Sequence, residues 1–130
     1  QPEKAATALF EKHVAPQTEQ VQLHAERIFK VNTVHGGRPR AVKSIHLNWT
    51  PGSLGTDYCG YDLYVTDERS TPLFKEHIPA EVFNDPATSS YELDVPGQPI
   101  RGTRVLHITV VPDNKGQEPT DFTNIYAIGI

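Results

Sequence analysis

Six histidines are the residues of this chain that first suggest metal chemistry. A zinc site usually takes two of its ligands from close-spaced positions, because both side chains must reach one ion. Side-chain alternation places His24, His46 and His107 on outward faces of strands that could belong to one sheet. The histidines are nowhere paired at such a spacing. We therefore expect solvated or locally hydrogen-bonded histidines, and neither a metal nor a cofactor.

Nucleophilic and acid–base catalysis each need a second group beside the first. Cys59 lies in a segment that carries no signature of a nucleophile with its base and oxyanion donors. Asp67 and Glu68 are adjacent carboxylates, and ordinary solvation is the common state of such a pair. Asp62 and Asp94 could approach each other only if their strands were neighbours. The sequence therefore predicts no catalytic residues and no enzyme activity of its own.

The tyrosines suggest binding instead. A small sandwich cannot bury all five of them, and alternation sends Tyr64 to the face opposite Leu63 and Val65. An exposed tyrosine offers rigid contact area with a polar tip, which suits protein interfaces and the stacking of sugars. The five are Tyr58, Tyr61, Tyr64, Tyr91 and Tyr126.

Length and charge narrow the class of protein. A chain of 130 residues with a formal net charge of −4 suits one globular domain with a single core. Cations are scattered apart from a short island at Arg38, Arg40 and Lys43, whereas binding to nucleic acid needs many clustered cations. No apolar run approaches the ~20 residues of a spanning helix. Nucleic-acid binding and membrane insertion are therefore not expected.

The first segment has a helical pattern of apolar residues that Pro16 ends. We predict a helical extension over residues 1–20 and a β-sandwich domain over residues 21–130. The helix would place Leu9 and Phe10 on the sandwich or on a neighbouring subunit, which would allow self-association. Its apolar face consists of Ala6, Leu9, Phe10, His13 and Val14.

From Val21 the period changes to two, which is typical of half-buried strands. A first strand pair spans Val21 to Val34, and the glycines and proline of His35 to Arg40 predict a loop or hairpin turn. A short strand between Pro72 and Pro79 suits a sheet edge. The inward sets of the central strands are Ile45, Leu47 and Trp49; Tyr61, Leu63 and Val65; and Leu106, Ile108 and Val110.

Two further strands complete the pattern, Tyr91 to Val95 and Phe122 to Ile130. Each strand is bounded by Gly, Pro, Asn or Asp, and the spacings of ten to twenty residues leave no room for alternating helices. The sequence therefore predicts an all-β antiparallel sandwich. Trp49, Leu63, Leu93 and Ile108 should share its interior.

Four segments together resemble a fibronectin type III domain or a close immunoglobulin-like relative over about residues 41–130. The resemblance implies an immunoglobulin-like sandwich that binds through loops at one end. The segments, in family order, match the second strand at Ile45 to Pro51, the third at Gly60 to Val65, the fifth with its turn at Ser90 to Gly97, and the sixth with its loop at Ile108 to Gly116.

In that arrangement the loops Pro51 to Tyr58 and Pro112 to Asp121 lie at the same end of the sandwich. A rigid scaffold presents such loops to solvent, where they make contacts. The candidate binding residues are those of the two loops together with the outward tyrosine: Asp57, Tyr58, Tyr64, Asp113, Asn114 and Lys115.

The resulting hypothesis is a non-enzymatic module for protein contact or adhesion in an extracellular, surface or virion assembly. A carbohydrate-binding accessory module is the first alternative, and it requires aromatic rings exposed in a line or groove. A terminal β domain of a larger enzyme is the second, and it requires an apolar patch buried against the rest of that enzyme.

Overall fold

The structure, a computed structural model, describes residues 7–13 and 26–130, and of residues 7–13 it describes the backbone. These residues form ten strands and one short helix. In chain order the elements are β1 Thr7–His13, β2 Arg27–Asn32, β3 Val34–His35, β4 Arg38–Pro39, β5 Val42–Trp49, β6 Tyr61–Thr66, β7 Pro72–Ile78, α1 Ala80–Asn84, β8 Ser90–Asp94, β9 Val105–Pro112 and β10 Phe122–Gly129.

Eight of the strands build two four-stranded antiparallel sheets. The first sheet has the order β1–β10–β5–β8 and the second has the order β2–β9–β6–β7. Side chains from both sheets join one buried apolar cluster. The predicted all-β sandwich of antiparallel strands is therefore confirmed.

Period-two alternation accounts for the core. In β9 every second residue is buried, and β6 follows the same pattern. Trp49, Leu63, Leu93 and Ile108 are each at most 2% exposed and belong to the same cluster, as predicted. β7 and β8 lie at sheet edges. Pro72 begins β7 and Pro79 follows it, which suits an edge because proline cannot donate to a ladder.

The strand pairs are nested. β6 pairs with β7, β5 with β8, β2 with β9, and β1 with β10, all antiparallel. A single long hairpin folded over itself would give the same set of pairs. As a result the last strand, β10, lies between β1 and β5, and β2 lies beside β9.

The loop or hairpin turn predicted at His35 to Arg40 is a hairpin. β3 pairs with β4 across a two-residue turn. Gly36 and Gly37 both have positive φ, +67° and +82°, which is the backbone of a type I′ turn and favours glycine at both positions.

The prediction of an N-terminal helix is wrong for residues 7–13, which form the strand β1 and pair with β10. A short apolar run fits both a helix and a strand, and the partner available in the fold decides between them. Here β10 offers an open ladder edge. The rest of the predicted helix, residues 21–25 of the predicted first strand pair, and the boundary between residues 20 and 21 lie outside the described residues. In the described part of that predicted pair, β2 pairs with β9.

A cluster of aromatic rings joins α1 to the sandwich. Phe83 of α1 is fully buried. Its ring centroid lies 4.7 Å from that of Trp49, 5.6 Å from that of Tyr61 and 5.8 Å from that of Phe122, each in an edge-to-face arrangement. Such geometry suits the aromatic quadrupoles. The Phe83 side chain therefore anchors the helix in the core of the sandwich.

Candidate functional site

The two loops expected at one end of the sandwich do lie together. The carbonyl of Asp57 accepts hydrogen bonds from the backbone N–H groups of Gln117 and Glu118, at 2.8 and 3.0 Å. The N–H of Cys59 donates to the carbonyl of Glu118 at 3.0 Å. These bonds make the loops after β5 and after β9 one structural unit, which we call the loop end.

Tyr58, a predicted binding residue, serves as a support inside the loop end. It is 7% exposed, and its hydroxyl donates to the carbonyl of Thr50 at 3.0 Å. Burial raises the pKa of the Tyr58 phenol, and the carboxylates of Asp121 and Glu118 raise it further. A neutral, buried phenol with its donor already used is a structural group rather than a contact residue.

Asp113 is also used within the loop end. Its Oδ1 accepts hydrogen bonds from the backbone N–H groups of Gly60 and Lys115, at 3.1 and 3.0 Å. Asn114 has a φ of +61°, a left-handed conformation that asparagine tolerates better than most residues. Asn114, Lys115 and Asp57 are exposed. Of the loop residues predicted to make contacts, these three reach solvent.

The structure adds Asn84, which the sequence did not single out. Its Oδ1 accepts from the N–H of Tyr58 at 2.7 Å, and its Nδ2 donates to the carbonyl of Tyr58 at 2.9 Å. One side-chain amide thus satisfies both backbone groups of a buried residue. An asparagine at the end of a five-residue helix gives no sequence signal for this role.

Replacing Asn84 by Asp should lower the free energy of unfolding by about 2 kcal/mol, because a carboxylate oxygen would face the Tyr58 carbonyl that now receives a hydrogen bond. Urea unfolding measures the change. Asn114→Asp is the matched control, since that side chain is exposed. Equal effects of the two substitutions would contradict the role given to Asn84.

A surface groove of about 550 Å³ lies beside the loop end, lined by His77, Pro79, Ala80, Glu81, Asn84, Asp113 and Lys115. On one wall His77 Nδ1 is 2.9 Å from Asp62 Oδ1, and His77 Nε2 is 4.0 Å from Asp113 Oδ2. The histidine therefore lies between two carboxylates from separate elements, β6 and the loop after β9.

The other candidates for chemistry are apart from one another. His46 is in the first sheet, stacked on Tyr126 at 5.0 Å, while His107 is in the second, so the idea of one shared sheet is wrong for this pair. His24 lies outside the described residues. Asp62 and Asp94 belong to different sheets.

Cys59 is buried, and its thiol donates to the carbonyl of Glu118 at 3.2 Å. Burial raises the pKa of the Cys59 thiol, which lowers the fraction of reactive thiolate. In residues 26–130 no group of three or more His, Cys, Asp or Glu side chains is arranged to hold a metal ion.

Exposed apolar side chains concentrate on the outer face of the second sheet, which we call the outer β2–β7 face. In the part of the chain described with side chains, five large hydrophobic residues are exposed, and three of them lie on this face. They are Ile28 at 59%, Tyr64 at 38% and Leu73 at 36%; the other two are Leu54, fully exposed at the loop end, and Ile130.

The register places Ile28 and Tyr64 in one row across the sheet, with Thr109 between them. Ile28 is opposite Thr109, Thr109 is opposite Tyr64, and Tyr64 is opposite Lys75. The ammonium of Lys75 lies 5.1 Å from the centre of the Tyr64 ring, a cation–π contact. The exposure predicted for Tyr64 is therefore observed, with a lysine beside its ring.

Comparisons with protein-family models, with curated proteins and with solved structures find no significant match to this chain. Among the described residues, no helix has the length and apolar character needed to cross a membrane.

Proposed function

We propose that this chain is a non-enzymatic interaction module that contacts another protein through its outer β2–β7 face. The observation that carries the proposal is the group of exposed Ile28, Tyr64 and Leu73 on three strands of one sheet. The free face of an antiparallel sandwich is ordinarily polar. Clustered apolar side chains on such a face mark interaction surfaces.

The surroundings of these residues fit an interface. Val105 and Val111 of β9 are half-buried and lie on the same face, with His107 and Thr109 between them along the strand. Lys30 and Lys75 are exposed on the same face. An apolar centre with tyrosine and a charged rim is the usual composition of a protein–protein contact.

The fold supports a role in assembly or adhesion. The resemblance to fibronectin type III and immunoglobulin-like domains rests on β5, β6, β8 and β9. The nested pairing of all eight long strands, with β10 between β1 and β5, is the order of a two-sheet jelly roll, an architecture found in viral capsid and lectin domains. Both families include surface modules, and we propose an extracellular, surface or virion location.

Carbohydrate binding is the alternative that exposed Tyr64 would serve. A stacked sugar needs a free ring face, and Lys75 lies over one face of this ring. The arrangement therefore favours a protein contact over sugar stacking. Glycan-array binding by the chain that is lost in Tyr64→Ala would reverse that preference.

The proposed interface is tested with a matched pair of leucines. Leu73→Asp places a carboxylate on the outer β2–β7 face, and Leu54→Asp places one at the loop end, where Leu54 is also exposed. We expect Leu73→Asp to weaken the contact at least about tenfold, in the range of interface hot spots, and Leu54→Asp to leave it unchanged.

The contact is detected in two ways. Sedimentation velocity over a wide concentration range reports association between copies of the chain. A photoreactive residue at position 28, with position 43 as an exposed control on the first sheet, reports other partners in the native setting. Association lost in Leu54→Asp and retained in Leu73→Asp would assign the interface to the loop end and refute the proposal.

A further inference from the structure

His77 links three parts of the molecule that are distant in sequence. It lies on the edge strand β7. Its Nδ1 is within hydrogen-bonding distance of Asp62 on β6, and its Nε2 is 4.0 Å from Oδ2 of Asp113 in the loop after β9. Its side chain is 48% exposed, so protons reach it freely, while the side chain of Asp113 is 11% exposed. The imidazole is therefore placed between a strand and a loop that carries part of the groove.

The charge of the imidazole decides what this arrangement does. A neutral imidazole has one N–H, so it can donate to one carboxylate only, whereas an imidazolium donates from both nitrogens. With Nδ1 hydrogen-bonded to Asp62, a neutral ring turns the lone pair of Nε2 towards Asp113. Protonation replaces that lone pair with a donor and adds a charge attracted to both carboxylates.

We propose that Asp62, His77 and Asp113 form a pH-dependent clasp, in which protonation of His77 draws the loop after β9 onto β7 and narrows the groove. The loop would follow Asp113 because Oδ1 of that residue accepts the N–H of Lys115 within the loop, while the N–H of Gly60, donated to the same oxygen, keeps the carboxylate beside the start of β6. Histidine is the side chain whose charge changes between about pH 5 and 8. The clasp is closed at the acidic end of this range and open at the basic end.

The other charged groups facing the clasp come from the groove. Glu81 of α1 adds a negative charge, and Lys115 of the loop adds a positive one. On β7 itself Lys75 is engaged with the Tyr64 ring. The imidazole thus has two carboxylates beside it, and the groove adds one further carboxylate and one lysine.

An NMR titration from pH 5 to pH 8 tests the clasp. It follows the backbone amide resonances of Gly60, Lys115 and Gly116. In the unchanged chain we expect each resonance to show a titration step. His77→Gln keeps a donor towards Asp62 without a titrating charge, and Asp113→Asn keeps the Oδ1 acceptor without the carboxylate. Both should abolish the step, and His107→Gln, on a different row of the same sheet, should retain it.

The outcomes are unambiguous. Persistence of the step in His77→Gln would assign it to another group and overturn the clasp. A step that survives in Asp113→Asn would show that the loop does not respond through its carboxylate, which also overturns it. Because His77 is half-exposed, its substitution leaves the core intact, and unchanged resonances from β9 and β10 verify this. The measurement needs no partner, so it stands apart from the proposed interface.

Discussion

Phe83→Ala is expected to lower the free energy of unfolding by about 3–5 kcal/mol, the range observed for large aromatic side chains removed from a core. The Phe83 ring is fully buried and packs edge-to-face against Trp49, Tyr61 and Phe122. Its removal leaves a cavity bounded by three rings that are themselves fixed in the two sheets. The surrounding structure therefore has little freedom to collapse into the space.

Urea unfolding, with midpoint and slope compared between variants, measures this loss. Phe74→Ala is the matched control, because Phe74 on the edge strand β7 is only partly buried against the same core. We expect the control to lose clearly less stability. A loss below about 1 kcal/mol for Phe83→Ala, or one equal to the control, would show that the aromatic cluster does not hold α1 in place.

The strands could be predicted because their side chains alternate. Burial on one face makes the register of Ile45, Leu47 and Trp49 readable from polarity alone, and β5 follows that register. The turn at Gly36 and Gly37 was equally readable, since two adjacent glycines permit the positive φ of a tight hairpin. Both signals are local, so no knowledge of the fold was needed.

The helix α1 could not be predicted for the converse reason. It has five residues between Pro79 and Asp85, which is too short to display the period of a helix. Val82 and Phe83 are a short apolar pair in a turn-rich segment, and the burial of Phe83 depends on three rings supplied by β5, β6 and β10. The prediction for β1 failed for a similar reason, because its partner β10 is more than a hundred residues away in the sequence.

In the candidate site too, local patterns could be predicted from the sequence and contacts between distant residues could not. Alternation identified Tyr64 as exposed, and the loops were correctly placed at one end. The roles of Tyr58 and Asp113 were missed because they depend on hydrogen bonds to Thr50, Asn84 and Gly60. Polar residues in a loop have no periodicity to reveal whether they face solvent or support the backbone.

Gly116 fixes how closely the two loops of the loop end approach each other. A Cβ at this position would lie 2.5 Å from the carbonyl oxygen of Tyr58 and 2.7 Å from the nitrogen of Cys59. Both atoms are backbone, so they cannot turn aside as a flexible side chain would. Gly116→Ala must therefore push the loops apart, and we expect the free energy of unfolding to fall by about 3 kcal/mol, the upper range of overpacking.

Gly97→Ala separates this steric effect from backbone strain. Gly97 has a φ of +72° and nothing within 4 Å of an added Cβ, so its substitution should cost only about 1–2 kcal/mol of left-handed strain. The Cys59 thiol, buried beside Gly116 and bonded to Glu118, gives a second readout. Separation of the loops should speed its labelling by a disulfide reagent in Gly116→Ala and not in Gly97→Ala. If the thiol stays equally protected in both, the loops tolerate the added methyl group, and Gly116 does not set their spacing.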